Sequence, residues 1–311
     1  MNEFILHRSE CNPIIRPEDF PVSADSVMNC GQAMYKGKIV LLIAVIYRGL
    51  LNGEKTGIHV GFSEDGIHFQ INPEPLCRHT DWCGSVGNFD CWVIDPRLTQ
   101  IGDTYYIVRP GEGPNGPCAL LEKTVDFKTV EFIDCIALPA NRVPCLFPEK
   151  IGGYYVRLDR PFNQHENEEP ECVPDTEKLK AGIWVSYSPD LVFWGKHRPL
   201  IYPEAIPNYA NWKMGPTPPI KTKDGWLEII HGVYKENGEF CYSIGAMLLD
   251  LKNPQKIIGV TRDWILTPTE PYETNGRVDN VVFPCGAIAD IETAVSSTHL
   301  RAHETLSDLV C

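Results

Sequence analysis

An internal repeat limits what this chain can fold into more than any other feature. A strand-like run ending in Ser or Thr, then a short turn holding Asp, then an aromatic, occurs three times. The copies are Gly61-Phe62-Ser63-Glu64-Asp65-Gly66-Ile67-His68-Phe69, Glu122-Lys123-Thr124-Val125-Asp126-Phe127 and Val185-Ser186-Tyr187-Ser188-Pro189-Asp190-Leu191-Val192-Phe193-Trp194. The steps from Ser63 to Thr124 and from Thr124 to Ser188 are nearly equal, at about 60 residues each. Such turns form because Asp accepts hydrogen bonds from its own following backbone and Gly takes positive φ freely.

A second element keeps phase with the first. A Gly turn leads into an aromatic or β-branched strand that runs to a basic residue: Gly37 to Arg48, Gly102 to Arg109, Gly152 to Arg160 and Gly225 to His231. Proline-bearing strands join this pattern at Asp95-Pro96-Arg97, Leu146-Phe147-Pro148, Thr217-Pro218-Pro219 and Val282-Phe283-Pro284. Short strands with regular Gly and Pro punctuation predict all-β structure. A period of about 60 residues suits a four-stranded blade with long loops, and 311 residues hold five of them. The expected fold is therefore an all-β, five-bladed β-propeller. The competing all-β arrangement is a sandwich of similar hairpins. The phased basic residues favour the propeller, where matching strand positions from distant repeats meet at one axis.

Composition narrows the partners. The net charge is −13, from 28 basic and 41 acidic residues, and nucleic acid needs a basic footprint instead. An anionic membrane surface is disfavoured for the same reason. The longest apolar stretch, Ile39 to Ile46, is too short to cross a bilayer. Residues Met1 to Arg8 show no basic start followed by an apolar run, so a cytoplasmic location is expected. The 12 cysteines are scattered without a Cys-x-x-Cys pair, which fits reduced thiols and no zinc site. No Gly-rich phosphate loop, Gly-x-Ser-x-Gly elbow or His-Glu-x-x-His run occurs. The acidic stretch between Asn163 and Lys180 reads as a solvated loop.

Two sets of residues carry chemistry. Asp95 stands at a strand end, where partial desolvation lets a carboxylic acid keep its proton near neutral pH. Asp before Pro is also an ordinary turn starter, so the tripeptide alone does not decide. The second set is cationic: Arg142, Arg160, Lys213 and His231 all flank the repeated strands. Each singly could be a surface ion pair in so acidic a chain. Four at matching positions point to a small bound anion, and guanidinium groups suit phosphate because they engage two oxygens at once.

Taken in order, several runs resemble glycoside hydrolase family 130. They are Asp95-Pro96-Arg97, Leu146-Phe147-Pro148-Glu149-Lys150-Ile151, Leu158-Asp159-Arg160-Pro161, Gly225-Trp226-Leu227 through His231-Gly232-Val233, Leu248-Leu249-Asp250-Leu251 and Asn280-Val281-Val282-Phe283-Pro284. The resemblance extends from about Asn12 to Ala287. It implies a five-bladed propeller and an inverting reaction on a terminal β-mannoside. Asp95 matches the family's acid, which protonates the glycosidic oxygen through a mannose hydroxyl. In the phosphorylases of the family, inorganic phosphate then attacks the anomeric carbon and gives mannose 1-phosphate. The phosphate-binding positions fall on Arg142, Arg160, Lys213 and His231, and the sugar-contacting ones on Asn29, Arg48 and Arg97. Extra residues near Arg48 leave Ala44 as the alternative there.

This set implies a phosphorylase of β-1,4-mannooligosaccharide or mannosyl-N-acetylglucosamine type. It needs no cofactor beyond phosphate as co-substrate, and its partner is a small oligosaccharide. Self-association stays open. The alternatives are an inverting β-mannosidase, which needs a carboxylate base to activate water, and a non-catalytic glycan-binding propeller. One departure stands out. The family continues past Val-Val-Phe-Pro into a Tyr-Tyr-Gly-Ala-Ala-Asp strand, whereas this chain runs Ile291-Glu292-Thr293-Ala294-Val295-Ser296. Residues 1–290 are therefore expected to form one catalytic domain, with 291–311 as an atypical tail. The last blade is then incomplete, with an open sheet edge.

Overall fold

The repeated turns fold alike. In a computed structural model, which describes residues 6–79, 92–113, 116–162 and 180–289, Ser63 Oγ accepts the N–H groups of Asp65 and Gly66 at 3.3 and 2.9 Å. Asp65 Oδ1 in turn accepts those of Ile67 and His68. Thr124 with Asp126, and Ser188 with Asp190, repeat this arrangement. A fourth copy sits at Asp250, which accepts from Lys252 and Asn253 while Leu248 occupies the hydroxyl position.

Each turn leads into the outermost strand of one antiparallel sheet. The first sheet runs β1 (Ala24–Tyr35), β2 (Lys38–Leu51), β3 (Glu54–Ser63), β4 (Gln70–Ile71) in that order. The second runs β5 (Arg97–Ile101), β6 (Thr104–Gly113), β7 (Gly116–Thr124), β8 (Glu131–Ala137). The third is β9 (Cys145–Leu146), β10 (Tyr155–Asp159), β11 (Ile183–Ser188), β12 (Gly195–Ile201). In the fourth, β13 (Lys213–Gly215) and β14 (Ile220–Lys221) share the inner edge of β15 (Trp226–Glu236), followed by β16 (Glu239–Leu249) and β17 (Ile257–Val260). β13 and β14 are separate because the run between them, Pro216-Thr217-Pro218-Pro219, lacks the N–H groups a ladder needs.

The core is divided into wedges between neighbouring sheets, as a propeller requires. Val40, Leu42, Ile58 and Val60 meet Leu98, Tyr105, Ile107 and Phe127 between sheets one and two. Phe147, Leu158, Val185 and Ile201 meet Met214, Trp226, Ile230 and Met247 between sheets three and four. Val40 to Val45 on β2 are buried without alternation, since both faces of the sheet are covered.

The propeller is all-β as expected, but the blade count differs. Four sheets, not five, form among the described residues. The segment from Thr261 to Ala289 adds only isolated bridges, Ile244 to Leu266 and Tyr242 to Val281, and one short helix (Pro271–Thr274). Its prolines, Pro268, Pro271 and Pro284, interrupt any ladder. The segment still joins the fourth sheet to the first. Ile265, Leu266 and Val282 pack with Ile229, Ile244 and Leu6, and Gly286 lies against Gln32 of β1. The tail at 291–311 and most of the acidic stretch after Asn163 lie outside the described residues. No described helix is long and apolar enough to cross a membrane.

A single buried carboxylate ties the two ends of the described chain. Glu273 accepts Arg8 Nε at 2.5 Å and Nη2 at 2.7 Å, and also the N–H groups of Thr269 and Glu270. Removing one partner of a buried pair leaves the other charge uncompensated, at about 3 kcal/mol or more. Glu273→Ala should therefore lower the unfolding free energy by about 3 kcal/mol in urea titration, and Glu273→Gln by less; an unchanged midpoint for both would show that this tie does not hold the ring.

Candidate active site

The inner strands converge on a cavity of about 780 Å³. Asp95, Asn29, Arg142, Arg160 and Lys213 all line it, together with Tyr242, Phe283 and Val143. Each lies on or beside an inner strand or its partner. Asn29 is on β1, Asp95 precedes β5, Arg142 precedes β9, Arg160 follows β10 and Lys213 opens β13.

Asp95 is 5% exposed and has φ of +51°, in the left-handed region, directly before Pro96. Residues before proline favour extended backbone, so this conformation is held by its surroundings. Asn29 at +47° and Val143 at +56° share it. One carboxylate oxygen of Asp95, Oδ1, accepts a close hydrogen bond from Asn29 Nδ2. The other, Oδ2, lies 3.4 Å from Arg142 Nε, and Arg142 Nη2 contacts Glu112 Oε1 on the far side.

Arg160 is 6% exposed and makes no ion pair among the described residues. Burial, and after it the like charge of Arg142, pulls its pKa down to about 10 from the usual 12.5. The Nε atoms of Arg142 and Arg160 are both buried without a hydrogen-bond acceptor. Lys213 Nζ sits 5.2 Å from the ring centre of Tyr242. Among the described residues, five cations line the cavity (Arg16, Arg142, Arg160, Lys213, Arg277) against two carboxylates (Asp25, Asp95), although the chain carries −13 overall. Like charges with unsatisfied donors call for an anion. Among the described residues no cluster of three or more His, Cys, Asp or Glu is placed to hold a metal ion.

Three of the expected contact residues do not line the cavity. His231 is wholly buried behind Arg160, whose Nη1 lies 3.2 Å from His231 Nε2. Guanidinium can only donate, so Nε2 accepts and the ring proton is assigned to Nδ1. Burial, reinforced by Arg160, Arg97 and Lys213, pushes the His231 pKa well below its ordinary value, which keeps the ring neutral. The fit is close: a Cβ on Gly215 would come within 2.4 Å of His231 Cε1. Arg97 is likewise fully buried, donating Nη1 to Pro284 O at 3.0 Å with its guanidinium over the Phe283 ring. Arg48 is exposed, because β2 outruns its pairing with β3 after Ile46 and residues 48–50 extend into solvent. Ala44, the alternative at that place, is buried opposite Met28.

Tyr242 and Glu112 were not foreseen. Tyr242 is one of several aromatics on a regular strand, and alternation alone does not tell which rung meets the axis. Glu112 stands in Arg109-Pro110-Gly111-Glu112-Gly113, where the only signal is a charge between two glycines.

Known proteins resemble this chain over most of its length. A family model described as β-1,4-mannooligosaccharide phosphorylase matches residues 8–298. β-1,4-mannooligosaccharide phosphorylase of Ruminococcus albus is 32% identical over 299 residues, 93% of this chain and 82% of that protein. β-1,2-mannobiose phosphorylase of Listeria innocua is 35% identical over 240 residues, 76% of this chain and 61% of that one. A solved structure of β-1,2-mannobiose phosphorylase from Listeria innocua with β-1,2-mannobiose superposes with a TM-score of 0.74 at 30% identity, covering 93% of this chain and 91% of that chain. With its propeller sheets, its axial carboxylate and the cations around it, the chain belongs to glycoside hydrolase family 130.

Proposed function

We propose that this chain is an inverting phosphorylase of terminal β-mannosides, of the β-1,4 type. The observation that carries the reading is the convergence of Arg142, Arg160 and Lys213 beside Asp95 in one cavity. Residues 1–290 act as a single catalytic domain in the cytoplasm. The segment 261–289 takes the place of a fifth blade, closing a five-bladed ring.

The side chains divide the work. Inorganic phosphate is held by Arg142, Arg160 and Lys213, and the buried Nε–H groups of the two arginines are free to donate to its oxygens. Asp95, oriented by Asn29, gives its proton to the glycosidic oxygen, directly or through a mannose hydroxyl. The bond from the anomeric carbon to that oxygen breaks as a phosphate oxygen attacks from the opposite face. The β-mannoside becomes α-mannose 1-phosphate, the acceptor leaves as its free alcohol, and the hydrogen carried by phosphate replaces the one Asp95 gave up. His231 serves phosphate indirectly, by fixing Arg160. Arg97 supports the axis from below the cavity, and Arg48 has no part. Hydrolysis would need a carboxylate to activate water. Asp25, the other carboxylate in the described lining, is 3.6 Å from Arg277.

The decisive assay follows mannose 1-phosphate from β-1,4-mannobiose, mannosyl-N-acetylglucosamine and β-1,2-mannobiose with and without phosphate. Product should form only with phosphate and fastest from a β-1,4 substrate; free mannose released at equal rate without phosphate overturns the reading. Asp95→Asn should lower kcat by about 10²–10⁴-fold, the usual contribution of a general acid, while phosphate still binds. Phosphate should also raise the melting temperature, because it relieves the repulsion among the three cations. At a hundredfold excess over Kd the gain is about 2.7 kcal/mol, and Arg160→Ala should abolish most of it in differential scanning fluorimetry.

A further inference from the structure

Arg142 is gripped from both sides. Its Nε faces Asp95 Oδ2 at 3.4 Å, and its Nη2 contacts Glu112 Oε1. Asp95 carries the proton in the proposed reaction; Glu112 is absent from the described lining of the cavity and reaches the site through this guanidinium. We infer that Glu112 is a positioning residue for phosphate, holding the Arg142 fork in the orientation that faces the anion, an inference that rests on the phosphorylase reading.

The backbone supports this role. Glu112 is near the end of β6, paired with Pro117 at the start of β7. Pro117 O accepts the N–H of Asn141 at 2.8 Å, and Arg142 follows directly. Arg142 N donates to Arg160 O at 3.3 Å, and Asn141 Oδ1 accepts the Arg160 N–H at 3.1 Å. One rung of the second sheet thus fixes both the carboxylate and the backbone of the arginine it holds, and the same short segment fixes the second phosphate arginine. Glu112 is partly shielded, with 24% of its side chain exposed against 30% for Arg142, so the pair is less screened than a surface contact. A long side chain such as Arg142 loses rotamer freedom when it binds an anion, and a partner that has already restricted it lowers that cost. Glu112 has a second effect. It shares a cation that would otherwise lie against Asp95 alone, so Arg142 stays extended between two carboxylates instead of closing on the acid.

The test is isothermal titration of inorganic phosphate into the full chain, with steady-state kinetics alongside. Glu112→Ala should weaken phosphate binding about tenfold, the scale of one charge-assisted hydrogen bond. The KM for phosphate should rise in step while the KM for the mannoside holds. Glu112→Gln, which keeps length and an acceptor oxygen, should stay within about threefold of wild type. In an Arg142→Ala background, Glu112→Ala should change phosphate affinity no further, a non-additivity that a merely structural role would not give. Equal or tighter phosphate binding by Glu112→Ala, with the wild type binding normally, overturns the role of Glu112 alone. A wild-type chain that binds no phosphate removes the phosphorylase reading and this inference together.

Discussion

A sheet whose strands follow in chain order presents its first strand at one edge, and a ring of such sheets brings every first edge to a common axis. The rest of this molecule depends on that constraint. It explains why residues as distant as Asn29, Asp95, Arg142 and Lys213 share one cavity; two of the inner strands beside them are also short. β9 has two residues and β13 three, and proline stands in or beside their runs. A proline at the axis has no N–H to leave unpaired, so backbone can crowd there at lower polar cost. What remains to fill the axis is side chain, and here it is charged.

Charge burial is handled in two distinct ways. Arg109 meets Glu122 through two nitrogens at 2.9 and 3.0 Å, joining β6 to β7, and both side chains are closed to solvent. Arg157 faces Asp159 at 2.8 Å and covers the Trp194 ring at 4.2 Å. These cations are matched by carboxylates within the same sheet and serve the framework. Arg160 belongs to the same family of strand-end arginines in sequence, yet its neighbour is a neutral histidine and no described carboxylate pairs with it. A buried cation without a carboxylate partner is costly; Arg160 holds that position at the cavity wall, and Arg97 holds it behind the wall, against Pro284 O and the Phe283 ring.

The sequence carried the periodic part of this fold and lost the parts where periodicity breaks. The turns at Ser63, Thr124 and Ser188 were legible because hydroxyl, carboxylate and spacing recur together. The fourth turn was hidden because Leu248 replaces the hydroxyl, leaving Asp250 to cap the turn alone. Five blades were expected from length, but the segment after Val260 makes bridges in place of a sheet. Asp95, Arg142, Arg160, Lys213 and Asn29, singled out through their motifs, line one cavity. The motifs cannot say how deep a side chain sits. His231 and Arg97 therefore stood beside their neighbours in the expected site, while the strand turns them inward behind it. Arg48 stands exposed and away from the described lining, where the pairing between Ile46 and Leu51 is irregular.

Backbone strain marks the same place by an independent route. Three of the left-handed non-glycine residues, Lys36, Asn52 and Asn237, precede glycine in hairpin turns, where that conformation is ordinary, and Phe127 and Leu191 fall in the repeated hydroxyl–Asp turns. Asn29, Asp95 and Val143 do neither; all three line the cavity, and Val143 is β-branched. Each such residue costs about 1–3 kcal/mol and persists only where its surroundings over-determine it. Around Asp95 those surroundings are Asn29 on one oxygen, Arg142 on the other and Pro96 behind. The Asp95 carboxylate is therefore held in place by the chain itself, and its position depends on Arg142. Asp95 and Glu112 stand at two ends of one held guanidinium, so a change that loosens Arg142 frees both.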